Sequence, residues 1–330
     1  MTKRTRYFMF GSVTVLLVGL CTGLVAFYTG MPMGAFGRPD GPAELRYVPA
    51  DATLVAFANV QDVMRSEFRQ KLRAAITDDE HGQAEFQKQT GIDIEHDIDH
   101  VVAFVEPGSG DDNHNGMVIA AGRFEAGRLE ALAREHEGLI EEYKGKRLVT
   151  VVGDRGHDEK PHGDTFTVAF LDPGLIALGQ TGVVKRSIDR QGGQSVLDNH
   201  EMMNLVHDLD SANAWAVGRF DTLISQARLP EGVAGQIPAV RWFSASGHIN
   251  GGLRGTIRAE ARDEQAGQNL RDVVQGFMAL AKMQASQKPE LTALMNSIQL
   301  SGTGKTVSLN FEVPSQIIDA FSEAHRRAED

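Results

Sequence analysis

The segment TLVAFANV, from Thr53 to Val60, is the starting point for predicting the fold. Its apolar run is nearly continuous, which predicts a buried β-strand. Apolar residues at helical spacing follow it, and then come two more strand-like runs, a second helical pattern and a further strand at Arg147–Val152. Strand, helix, strand, strand, helix, strand is the order of a split βαβ arrangement.

A similar succession begins again at Asn213. The run NAWAVGRF, Asn213–Phe220, has the pattern of TLVAFANV and is likewise followed by an aspartate and a predicted helix. A hairpin around the tripeptide NGG comes next, and then a long predicted helix. Its apolar stripe consists of Leu270, Val273, Val274, Phe277 and Ala281. The sequence therefore predicts an α+β fold with two tandem βαββαβ-like halves, each with a mainly antiparallel sheet and helices on one face.

The hexapeptide SGTGKT, Ser301–Thr306, resembles the end of a nucleotide-binding phosphate loop. Such a loop needs a glycine five positions before its Gly-Lys pair and a helix directly after it. Gln299 occupies the required position, and the run TVSLNFEVP that follows alternates apolar and polar residues as a strand does. We therefore predict a hairpin turn here, in the place that LDPGL takes in the first half.

The N-terminal segment predicts a membrane anchor. Three basic residues, Lys3, Arg4 and Arg6, precede a stretch without charge that extends to Gly37. Its apolar centre, residues 8–28, has the length of a membrane-spanning helix, and the basic residues favour a cytoplasmic N-terminus. A cleaved signal peptide is the alternative, although good small-residue cleavage sites are missing.

These patterns give a predicted division of the chain. Residues 1–30 form a cytoplasmic tail and transmembrane anchor, and 31–46 form a linker rich in glycine and proline. Residues 47–210 and 211–330 form the two α+β halves. We expect a single pass through the inner membrane with these halves on its periplasmic or extracellular side.

The charge and cysteine content limit the function. The first 37 residues hold three basic residues and no acidic ones, so the rest of the chain carries a formal charge of −14, against −11 for the whole. Nucleic acid and anionic membrane surfaces are poor partners for that charge. Cys21 is the only cysteine, which excludes disulfides, a thiol nucleophile and thiolate metal sites from the outer part.

The anchor also suggests self-association. Gly19 and Gly23 are four residues apart on the predicted helix. Small residues at this spacing let two membrane helices approach closely. Gly19 and Gly23 therefore predict a weak parallel homodimer.

Three polar segments are candidate metal or ligand sites. The first is GIDIEHDIDH, the second is the loop GSGDDNHN at 108–115, and the third is GDRGHDEKPHGD at 153–164. Carboxylates and imidazoles are metal ligands, but none of the three shows a known ligand spacing, and caps or solvated loops explain them as well. The residues concerned in the first and third segments are Asp93, His96, Asp97, Asp99, His100, His157, Asp158, Glu159, His162 and Asp164.

The segments VPADATLVAFANV, GIDIEHDIDHVVAFV and LIALGQTGVVKRSID resemble those of an uncharacterised bacterial family of exported or membrane-anchored tandem α+β proteins. The resemblance covers about residues 47–313. It implies an envelope location but no activity, substrate or site residue.

The sequence lacks the local signatures of serine, zinc and dinucleotide chemistry. We therefore assign no catalytic, cofactor or metal residue and predict no cofactor. The predicted function is a membrane-anchored extracytoplasmic binding or scaffold protein of the cell envelope. A metal-dependent hydrolase that uses the His/Asp-rich loops and a structural subunit of an envelope complex are the alternatives.

Overall fold

The computed structural model describes residues 41–67, 69–70, 84, 86–88, 90–107, 115–135, 138–152, 165–209, 211–222, 239–249, 252–285 and 289–314. The predicted anchor at 8–28, most of the linker, and Gly19 with Gly23 lie outside these residues. No helix among the described residues is long and apolar enough to cross a membrane. Membrane contact and the weak dimer through Gly19 and Gly23 stay predictions.

Within the described residues, twelve strands form a sheet in the order β11-β12-β10-β9-β8-β1-β2-β3-β7-β6-β5-β4. The strands are β1 (Leu54–Ala58), β2 (Ile98–Val105), β3 (Gly116–Gly122), β4 (Leu139–Tyr143), β5 (Lys146–Val152), β6 (Thr165–Asp172), β7 (Leu175–Gln180), β8 (Ala214–Arg219), β9 (Val240–Ile249), β10 (Gly252–Ala261), β11 (Gln299–Ser301) and β12 (Thr306–Pro314).

The described helices are mostly short. The α-helices are α1 (Val60–Arg65), α2 (Ile94–Asp97), α3 (Ala126–Glu135), α4 (Thr181–Asp189), α5 (His200–His207), α6 (Glu264–Ala285) and α7 (Pro289–Ser297), and 3₁₀ helices span Ala43–Tyr47 and Val196–Asp198. Among the helices that the structure describes, only α6 exceeds three turns, and at 22 residues it is about 33 Å long.

The chain divides into two compact units. The first holds the described residues of 38–61 and 78–203, and the second those of 62–77 and 204–330. The predicted boundary between 210 and 211 stays a prediction. In both units the third strand along the chain pairs with the last one, β3 with β7 and β10 with β12.

Helices cover both faces of the strands in the first unit. Arg147 on β5 donates to the Glu130 carboxylate of α3 at 2.6 Å. On the same strand, the Thr150 hydroxyl lies 2.7 Å from that of Thr167, which lies 2.7 Å from that of Thr181 on α4. Arg147 and Thr150 are three residues apart, so they point to opposite faces. The prediction of helices on one face is wrong here.

The core of the first unit explains this arrangement. Val55, Phe104, Met117 and Ile119 are almost fully buried, on one face, while Ala56, Val101 and Ala120 are buried on the other. Full burial of a large apolar side chain contributes about 1.5–3 kcal/mol. A strand buried on both faces has a continuous apolar run rather than an alternating one, and VVAFV on β2 is such a run.

The predicted fold class is wrong in its main point. The sequence predicts two βαββαβ-like halves with a sheet each, whereas the strands form one sheet of twelve. Arg147–Val152, predicted as the closing strand of a βαβ unit, is the second strand of the antiparallel run β4 to β7. Hydrophobic periodicity identifies strands but does not report which strand lies beside which. The predicted transmembrane helix of this fold class has no counterpart among the described helices.

Candidate binding surfaces

The outward side of α6 carries a set of exposed apolar side chains. Their exposed fractions are 41% for Val273, 69% for Phe277, 48% for Leu280 and 66% for Met283. The steps of four, three and three residues between them place them on one side of a helix. We call these four residues the α6 apolar face.

Gly276 lies in the middle of the α6 apolar face. A Cβ added to Gly276 would meet no atom within 4 Å. Packing against the described residues therefore gives no reason for a glycine at this position. Glycine inside a helix is also about 1 kcal/mol less favourable than alanine. At the start of the same helix, packing does require a glycine, because a Cβ on Gly267 would lie 2.3 Å from the Gly304 carbonyl oxygen.

The predicted apolar stripe of this helix is wrong in part. Leu270, Val274 and Ala281 are half-buried and face the rest of the unit, but Val273 and Phe277 are exposed. Most outward positions between Val273 and Met283 are apolar too. A helix that is apolar on most sides gives two possible stripes, and periodicity alone does not select the buried one.

A second surface lies at the β4 end of the sheet, in the first unit. It is a groove of about 530 Å³. Its lining comes from the start of α3, the β4–β5 turn and the β6–β7 turn, and includes Phe124, Glu142, Lys146, Arg147, Phe170 and Asp172. Two of its charged pairs are internal: Lys146 with Asp172 at 3.1 Å, and Arg147 with Glu130 at 2.6 Å.

Asp172 lines this groove and also contacts the buried Tyr47. Its carboxylate accepts hydrogen bonds from the buried Tyr47 hydroxyl at 2.9 Å, from Arg46 at 3.0 Å and from Lys146 at 3.1 Å. Lys146 also donates to the Leu171 carbonyl. Burial alone would raise the pKa of Asp172, but the hydrogen bonds from Lys146 and Tyr47 outweigh it and hold that pKa below 3.8. Burial and then the Asp172 hydrogen bond raise the pKa of Tyr47.

Glu106 is a buried carboxylate with two cationic partners. Its side chain is 8% exposed and accepts from Arg186 at 2.6 Å and from Arg190 at 2.8 Å, both at or next to the end of α4. Its backbone N–H donates to Asn115 at 2.8 Å, where the β2–β3 connection closes. Both carboxylate oxygens are therefore used inside the protein, which favours a structural role.

The GIDIEHDIDH cluster is also engaged in structure. Asp93 caps α2 by accepting from the Glu95 N–H at 2.9 Å, and it lies 2.9 Å from the His96 ring. Burial alone would raise the pKa of Asp93, but the hydrogen bond with His96 outweighs burial and lowers that pKa.

The other members of this cluster point to different partners. Asp97 pairs with Arg123 at 3.4 Å, Asp99 accepts from Gln61 at 3.0 Å, and His100 lies 3.2 Å from Glu44. Within the part of the chain that the structure describes, no group of three His, Cys, Asp or Glu side chains converges as metal ligands do.

The remaining sequence candidates have varied outcomes. Residues 108–114 and 153–164, which include His157, Asp158, Glu159, His162 and Asp164, lie outside the described residues. Outside these candidates, Arg254 and Arg258 on β10 pair with Glu312 and Asp208 at the surface of the sheet.

The SGTGKT segment is a turn between β11 and β12, as predicted. Gly302 and Gly304 have φ angles of 96° and 58°, which glycine adopts without strain. Arg271 of α6 donates to the carbonyls of Gly304 and Thr306 at 3.1 and 3.2 Å. A phosphate cradle presents N–H groups, whereas this turn presents carbonyls to a cation.

Sequence reasoning missed both surfaces. β4 escaped prediction because LIEEY is short and half polar, which is usual for an edge strand. The low charge of α6 between Val273 and Ala281 was the available signal for an exposed apolar helix face.

Comparison with known proteins gives little further guidance. No protein-family model matches the chain, and no curated protein matches it. A solved structure of TP0453, crystal form I, aligns with 88% of this chain and 99% of its own at 8% sequence identity, with a TM-score of 0.47. A likeness this weak carries no argument about function.

Proposed function

We propose that the protein is a non-catalytic binding or scaffold protein of the bacterial cell envelope, which holds a partner protein outside the cytoplasm. The observation that carries the proposal is the α6 apolar face. Its four side chains are 41–69% exposed and lie within about 15 Å along one helix. Contiguous apolar patches of this kind mark interaction sites on soluble surfaces.

The chemistry of this face favours a helical segment of the partner. Positions 273, 277 and 280 follow the spacing by which a helix presents its side chains to another helix. Gly276 leaves a notch between them that can receive a side chain of a facing helix. Lys282 is the one charged residue from Val273 to Ala285, so few charges are desolvated when the face is covered.

Site-specific photocrosslinking in cells tests this proposal. A photoreactive residue replaces Leu280 in the full-length chain, and the control replaces Gln275, which is exposed on another side of α6. We expect an adduct to one defined protein from position 280 and none from position 275. We also expect the Phe277→Asp variant to lose the adduct.

Two further measurements decide the outcome. The Phe277→Asp variant must unfold at the wild-type temperature, because Phe277 is 69% exposed. A synthetic helix from the captured protein must bind the purified chain and lose binding to Phe277→Asp. Adducts to lipid only, or none at all, would refute a protein partner at this face.

A further inference from the structure

Met283 is the oxidisable member of the α6 apolar face. The other three side chains of this face are hydrocarbons, whereas Met283 carries a thioether sulfur. Peroxides and hypohalous acids convert such a sulfur to a sulfoxide, which is polar. Met283 is 66% exposed, so its side chain is open to an oxidant in solution. One chemically changeable group therefore lies in an otherwise inert apolar surface.

The other methionines that the structure describes are less accessible. Met117 and Met202 are 0% exposed, and Met203 is 5% exposed. Met278 lies on another side of α6 and is half-buried. An oxidant has to reach the sulfur before it can react. Among the described methionines, Met283 is therefore the one that we expect to be oxidised first.

The end of α6 cannot satisfy a sulfoxide oxygen, which is a hydrogen-bond acceptor. Near the C-terminus of a helix the N–H groups are bonded within the helix, and the groups left open are carbonyls, which are acceptors too. Lys282 is the one charged residue from Val273 to Ala285, but its side chain leaves the helix about 100° away from that of Met283. The sulfoxide oxygen is therefore bonded to water, and an apolar partner that covers it removes that water.

We propose that Met283 is an oxidative modification site, and that its oxidation releases the partner from the α6 apolar face. This inference rests on the proposed function. With hydrogen peroxide, the thioether sulfur takes one oxygen atom, the O–O bond breaks and the other oxygen leaves as water. The sulfur loses two electrons and the peroxide gains them. A methionine sulfoxide reductase, with thiols as the source of electrons, restores the thioether and with it the apolar face.

The first experiment measures the oxidation itself. The purified full-length chain, in nonionic detergent free of peroxide, is treated with dilute hydrogen peroxide, and peptide mass mapping follows each methionine with time. We expect Met283 to be oxidised faster than Met278 and well before Met202. Oxidation of Met283 that is no faster than that of Met202 would overturn the proposal.

The second experiment measures partner binding in cells, by the crosslink from a photoreactive residue at position 280. Each variant is compared with and without a brief peroxide pulse, so a change in its basal binding does not affect the comparison. With Met283 present, peroxide should reduce the adduct about five- to tenfold, as expected when a polar group is covered without a hydrogen-bond partner. The reduction should be absent in Met283→Leu, which has no sulfur at this position.

Two more variants act as controls. Met278→Leu should keep the response to peroxide, because Met278 is outside the α6 apolar face. Met283→Gln should give a weak adduct even without peroxide, because it places a permanent polar group on this face.

The outcomes separate this inference from the function on which it rests. No adduct in the absence of peroxide refutes the proposed partner, and the inference with it. An adduct that peroxide leaves unchanged, or reduces equally in Met283→Leu, overturns only the role of oxidation. The oxidised chain must also unfold at the temperature of the untreated chain, since a lower temperature would assign the lost adduct to unfolding.

Discussion

At the scale of single residues, Asp172 connects the surface groove to the buried Tyr47. The carboxylate satisfies a hydroxyl in a fully buried side chain, and Arg46 and Lys146 compensate its charge. A buried hydroxyl that loses its acceptor costs about 1–3 kcal/mol. Asp172 is thus important for stability even though it lines a cavity.

Asp172→Asn should lower the free energy of unfolding near neutral pH, because it weakens these hydrogen bonds and ion pairs. The expected loss is only about 1–2 kcal/mol, since the carboxylate is partly exposed and screened by solvent. The pKa of Asp172 in the folded protein lies below 3.8. Its contribution is therefore present above that pH and is lost as the pH falls through the folded-state pKa. Urea unfolding from pH 7 down to about 3 should show the difference between variant and wild type shrinking. A constant difference would contradict this assignment.

Glu106→Gln should be more destabilising, by about 2–4 kcal/mol. The change leaves Arg186 and Arg190 without their common carboxylate, and breaking a buried ion pair from one side is costly. Glu312→Gln is the matched control, because Glu312 pairs with Arg254 at an exposed site, where an ion pair contributes less than about 1 kcal/mol. Equal losses in chemical denaturation would show that Glu106 is not a buried partner.

At the scale of elements, α6 offers two glycines in different surroundings. Gly276→Ala should raise the free energy of unfolding by up to about 1 kcal/mol, because the added methyl meets open space and alanine favours the helix. Gly267→Ala should lower it, because the methyl would lie 2.3 Å from a backbone oxygen. Thermal unfolding of both variants checks the pair. The same sign for both would contradict the contact between α6 and the β11–β12 turn.

Sequence patterns predicted which helices and strands exist better than they predicted which side of each is buried. Strands such as β1 and β2 were predictable because their apolar runs are nearly continuous. For α6 the existence of the helix followed from the sequence, yet Phe277 was assigned to the buried stripe and is exposed. The buried side depends on what packs against the helix, and that information is not in the helix itself.

At the scale of the whole molecule, the sheet was the least predictable feature. Each strand and hairpin is encoded locally, by alternation and by turns such as Lys144-Gly145. Joining strands into one sheet depends on contacts distant in sequence, and β4, with two glutamates in five residues, gives only a weak local signal. Because the groove is formed by the start of α3 and by two turns, β4–β5 and β6–β7, no single motif could reveal it.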